Sequence, residues 1–120
     1  MIIYNKEQLA NLQETVLYLL NKVDGLEEAG GVLNAFGIKV VDQIDSTADL
    51  PSVQDYIDSQ EALGKDLEEL YGDAIAIGTQ PPYQLFIFTR AFSGATDPEW
   101  FNIGEFPKPG PQGPKGDKGD

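Results

Sequence analysis

Cysteine and histidine are both absent from this chain of 120 residues, and basic side chains number only 8 against 20 acidic ones. Each shortage excludes a class of chemistry. A Ser-His-Asp or Cys-His arrangement needs a histidine, and zinc, iron–sulfur and disulfide sites need Cys or His. A net charge of −12 argues against nucleic acid as a partner, because its phosphates repel such a surface. No apolar run approaches the roughly 20 residues of a membrane span, so no membrane insertion is expected. No basic segment precedes a hydrophobic stretch near Met1, so no secretory leader is expected either. The length sets one domain of ordinary size as the upper limit.

What is present is concentrated at the C-terminus. Four of the 13 glycines, Gly110, Gly113, Gly116 and Gly119, recur at every third position, and Pro111 and Pro114 each follow a glycine directly. This is the collagen pattern, in which three polyproline-II chains wind together and only glycine fits at the crowded axis. A flexible Gly/Pro linker is the alternative, and the strict register with no apolar residue between the glycines argues against it. Lys115-Gly116-Asp117 and Lys118-Gly119-Asp120 place opposite charges where staggered chains can pair them. Such exposed pairs contribute about 0–1 kcal/mol each and set register more than stability. The pattern predicts a homotrimer. So few triplets cannot hold a triple helix against the ordering entropy of each residue. An upstream trimeric nucleus, continuation of the natural chain past Asp120, or both, is therefore expected.

At the other end, Leu9, Leu12, Val16, Leu19, Val23 and Leu26 follow alternating spacings of 3 and 4, a heptad seam with Ile2 in the same register. Asn5 is placed to cap a helix, Gln8 to complete a capping box, and Tyr4 to staple onto Leu9. Gly25 and Gly30-Gly31 offer stops, so the expected helix runs from Lys6 to Asp24. Leu and Val at a with Leu at d lean towards two strands, and the collagen-like tail, whose geometry is stricter, makes this a coiled-coil-like trimerisation helix. Leu17, Tyr18 and Leu20 widen the apolar face, and an amphipathic helix packed on its own domain stands beside that reading.

The middle reads as a small mixed domain. Gly37–Ile44 is rich in β-branched residues and predicts a strand. Helices are expected over Asp49–Ser59 and Lys65–Tyr71. Asp73–Gly78 and Tyr83–Arg90, joined by a Gly-Thr-Gln-Pro-Pro turn, predict an antiparallel pair, with Glu99–Gly104 as a third strand. The expected fold class is thus α+β: an N-terminal coiled-coil-like helix, a small antiparallel sheet with short helices, and a collagen-like triple-helix start. The expected division is residues 1–36, 37–106 and 107–120.

Ala48-Asp-Leu-Pro51, Tyr71-Gly-Asp-Ala74, Ile77-Gly-Thr79, Pro81-Pro-Tyr83, Phe88-Thr-Arg90 and Trp100-Phe-Asn-Ile-Gly104 run in order into Pro109-Gly-Pro-Gln-Gly113. In this the chain resembles bacteriophage fibre proteins, in which a small module of similar motifs leads into collagen-like repeats. Such chains are associated with tailed phages of gut bacteria, including crass-like phages, as head or tail fibres. The resemblance covers roughly residues 46–120; Ile75 stands where the family has an aromatic residue, and the segment Asp55–Leu70 is longer than in the shortest members. It implies a homotrimeric structural protein of the virion, attached to capsid or tail proteins by its N-terminal part, with a collagen-like shaft projecting outward. Residues 1–36 would be the attachment and trimerisation region, 37–106 a collar, and 107–120 the start of the shaft.

Other functions leave different marks. Tyr83, Trp100 and Phe101 are candidate core or ligand aromatics, and an adhesin for host glycans would present Trp100 at the surface. A polysaccharide-degrading enzyme would need two carboxylates facing across a cleft. Asp42/Asp45, Asp55/Asp58, Glu68/Glu69 and Asp97/Glu99 supply pairs, but no spacing marks one out from a solvated acidic surface. No EF-hand or phosphate loop is present. Asp42, Asp45 and Asp49 are the one grouping from which a looser Ca²⁺ or Mg²⁺ site can be drawn. No catalytic residue, cofactor or metal is therefore assigned.

Overall fold

The computed structural model describes residues 5–23, 26–80, 82–92, 94 and 97–106. The chain forms α1 (Lys6–Leu20), α2 (Leu26–Ala35), β1 (Lys39–Ile44), a 3₁₀ turn (Thr47–Asp49), α3 (Val53–Glu61), α4 (Leu67–Leu70), β2 (Asp73–Ile77), β3 (Tyr83–Arg90) and β4 (Pro98–Phe106). The class is α+β. The four glycines of the Gly-X-Y run and the whole of the expected shaft, 107–120, lie outside the described residues.

α1 starts as its sequence predicts. The Asn5 side chain accepts from the Gln8 amide at 2.8 Å, and the Gln8 side chain accepts from the Asn5 amide at 3.0 Å. It ends four residues before Asp24. Asn21 Nδ2 donates to the Leu17 carbonyl at 2.7 Å, and this local bond competes with continuation of the helix.

α2 corrects the sequence reading, because Gly30 and Gly31 lie inside a helix they were expected to stop. Two glycines cost roughly 1 kcal/mol each in a helix interior. Complete burial of Ala29 and Leu33 against the sheet offsets that cost. The stop comes at Gly37, with φ +78°, in a Schellman arrangement. Gly37 N donates to Asn34 O and Ile38 N to Leu33 O, while the buried Ile38 and Leu33 side chains join the same core cluster.

The sheet has the order β1-β2-β3-β4. It is mixed and four-stranded, where an antiparallel sheet of three strands was expected. β2, β3 and β4 pair antiparallel, but β1 runs parallel to β2, with Ile44 opposite Ile77. The intervening α3 and α4 supply the long crossover that a parallel pair requires. Helices cover both faces. α1 and α2 enclose one core with Ala74, Ala76, Leu85, Ile87, Ile103 and Phe106. Across the sheet, the side chains of α3 and α4 close a second around Ile75, Phe88 and Trp100. Two register shifts make this two-sided burial work. One at Val40/Asp42 turns Val40 to the first core and Ile44 to the second. The other, opposite Leu85/Phe86, sits at Gly104, where φ is +122° and α1 lies so close that a Cβ would meet Leu17 at 3.1 Å.

The heptad stripe packs in part on its own domain. Leu9 and Val16 are buried in the first core, with Leu12 and Val23 packed against it. Leu9 and Val16 thus face the chain's own sheet, while Leu12 and Val23 stay half-buried. Leu20, outside the 3–4 spacing, is fully buried, whereas Leu19 is half-buried. Leu26 begins α2 rather than continuing α1. The division at residues 36 and 37 consequently falls within one shared core.

Candidate functional site

Two features stand out on the crossover side of the sheet: an aromatic cluster and a polar cleft beside it. The cluster is built from three elements. Tyr56 on α3 lies 5.2 Å from the Phe88 ring and 5.1 Å from that of Trp100. Phe88 on β3 meets Trp100 on β4 edge-on at 5.3 Å and stacks with Tyr71 at 5.7 Å. Edge-to-face and offset pairs at such distances contribute about 0.5–1.5 kcal/mol beyond their buried area. Trp100 Nε1 donates to the Pro51 carbonyl at 2.9 Å, so both the ring and its polar handle are engaged.

The three sequence-predicted aromatics are separated. Trp100 belongs to the cluster, while Phe101, pointing to the opposite face as strand alternation requires, packs against the α1 side. Tyr83 is half-buried with its ring 5.9 Å from Phe106. They do not form one platform. Among the described residues, the strongly exposed hydrophobic side chains are instead Tyr18, Leu63 and Phe92, at 61%, 72% and 56% exposure.

The cleft has a volume near 280 Å³ and is lined by Lys39, Lys65, Glu69 and Asp73, with Gly37 and Gly72 in its wall. Asp73 opens β2, and its buried carboxylate accepts from the Tyr56 hydroxyl at 2.7 Å. Burial pushes the Asp73 pKa above the ordinary carboxylate range, against the opposing pull of the Tyr56 hydrogen bond, Lys65 and Lys39. Burial, reinforced by the bond to Asp73, likewise raises the Tyr56 hydroxyl. Tyr71 is raised by burial and partly relieved by Arg90, whose guanidinium lies 5.9 Å from its ring. Sequence reasoning missed this polar pair. Its one signal was an acid at the head of an apolar strand.

The acid pairs offered by the sequence stay on the surface. Asp42, Asp45, Asp55, Asp58, Glu68 and Asp97 are exposed. Asp58 accepts from Gln54 at 2.9 Å, and Glu99 pairs with Lys6 at 3.3 Å. The cleft does bring Glu69 near Asp73, a grouping the spacing had not marked. Among the described residues no three of Asp, Glu, His or Cys are gathered to hold a metal ion, so Asp42, Asp45 and Asp49 do not converge as drawn. No helix among these residues is long and apolar enough to cross a membrane. No known protein family, curated protein or solved structure matches the chain.

Proposed function

We propose that this chain is a structural, non-enzymatic virion protein, the base of a homotrimeric bacteriophage fibre, a head fibre in preference to a tail fibre. Its N-terminal part would dock on capsid or tail proteins and its Gly-X-Y run would begin a collagen-like shaft carrying distal parts towards the host surface. The observation that carries the reading is one of position. β4 ends at Phe106, and the first of four glycines in strict triplet register follows at Gly110. A folded domain thus passes almost directly into a segment whose pattern serves only a three-chain assembly.

Trp100 favours this reading over an adhesin. An adhesin needs aromatic rings free to stack on a sugar, whereas Trp100 is half-buried, with its ring against Tyr56 and Phe88 and its nitrogen bonded to Pro51. The acidic surface adds support, since fourteen of the 20 acids precede residue 73 and suit docking on a basic shell surface. Light scattering on the purified chain tests the proposal. A mass three times the 13.1 kDa of one chain is expected, and a monomer at micromolar concentration overturns it.

A further inference from the structure

We infer that copies of this chain pack on one another through the end of the sheet where β4 exits, around the exposed Glu105 and Gln80. This rests on the fibre reading above and names the surface that holds its three chains together. Leu9 and Val16, at the centre of the α1 stripe, are buried against the chain's own sheet. Other surfaces of the domain are open to a contact between copies.

The geometry says which. Phe106 is 1% exposed and pairs with Tyr83, so β4 is held firmly up to its last residue. From Phe106 to Gly110 the chain can reach at most about 14 Å. A domain of this size has a radius of gyration of about 13 Å, and its surface lies further out still. The link is shorter than the domain is wide. Three domains whose chains enter one triple helix are consequently drawn together at their β4 exits.

Four segments meet at that end. β1 and β2 finish there, with Ile44 opposite Ile77, and β3 begins there at Tyr83. α1 runs alongside β4 in the same direction, Lys6 reaching Glu99, Gln13 reaching the Ile103 carbonyl and Leu17 covering Gly104, so its C-terminus arrives at the same end. Gly78, directly after β2, is tied to the end of β1. Gly78 N donates to Ile44 O at 2.8 Å, and Gln43 Nε2 donates to Gly78 O at 2.7 Å. Gln80 and Glu105 are exposed on this rim.

The absence of cysteine makes the test direct. Gln80→Cys and, separately, Glu105→Cys are introduced into the full chain and treated with a short bis-maleimide. Asp97→Cys, at the opposite end of β4, serves as the control. Covalent dimers on a denaturing gel are expected from the first two and not from the third, with every variant keeping the trimer mass. A trimer mass without cross-linking at either Gln80→Cys or Glu105→Cys overturns this surface and leaves the fibre reading standing. Cross-linking at Asp97→Cys equal to that at the other two also overturns it. A monomer mass for the unmodified chain overturns the fibre reading itself, and this surface with it.

Discussion

At Gly72 the backbone takes φ +101°, and a Cβ would sit 2.7 Å from the Gly37 carbonyl oxygen. Both the conformation and the contact exclude a side chain, because the opposing atom is backbone and cannot swing aside. Gly72→Ala should cost about 2–3 kcal/mol, read as a lower urea midpoint with an unchanged slope. Asp73, next along the chain, shows the electrostatic counterpart. Its folded pKa is raised, so the folded state holds the proton more tightly than the unfolded state does. The stability this provides is complete below the unfolded value of about 3.9 and is lost as the pH rises through the higher folded value. Asp73→Asn keeps an oxygen for the Tyr56 hydroxyl and removes the titration. The variant should therefore gain stability relative to the parent as pH rises through the acid range, with the difference flat above it. Denaturation curves at stepped pH check this, and a difference independent of pH refutes it. Neither position was marked for this role by the sequence. Gly72 stands in the run Tyr71-Gly-Asp-Ala74 with nothing local to show its close neighbour, and Asp73 only opens the expected strand Asp73–Gly78.

α1 shows how one pattern serves two structures. Spacings of 3 and 4 put Leu9, Leu12 and Val16 on one face of any helix, whether that face meets another chain or its own sheet. The two cases differ at the edge of the stripe. A heptad seam would centre on Leu19, whereas the observed helix buries Leu20 completely and leaves Leu19 half-exposed. Leu20→Ala should cost about 2–5 kcal/mol, as large-to-small changes in a packed core do, and Leu19→Ala clearly less. Thermal unfolding of the two variants decides it, and the reverse order would favour the seam. Other elements were legible because their signals are local. The capping box at Asn5 and Gln8, the β-branched run of β1 and the alternating strands β3 and β4 all lie close to their expected places. α2 was not legible. Its glycines argue against a helix locally, and only burial of Ala29 and Leu33 on the sheet argues for one.

The whole molecule joins a two-sided α+β domain to a Gly-X-Y run, and the proposed triple helix can be broken in the tail alone. Gly113→Ala together with Gly116→Ala places methyl groups where a triple helix has no room. With the shaft extended by further triplets, the doubly substituted chain should lose the triple-helical circular-dichroism signal while keeping the thermal unfolding of its domain. Survival of that signal would show that the run does not form a triple helix. The sequence alone determined the exclusion of His- and Cys-based chemistry, the triplet register, the helix start at Asn5 and the α+β class. These depend on residue identity and spacing over a few positions. Only the tertiary structure decided that Leu9 and Val16 face the chain's own sheet and that β1 lies parallel to β2. It also decided that Trp100 is packed and that Asp73 meets Tyr56. Each of these turns on which residues distant in the chain are brought into contact, and one helix period or one strand alternation is compatible with many such partners.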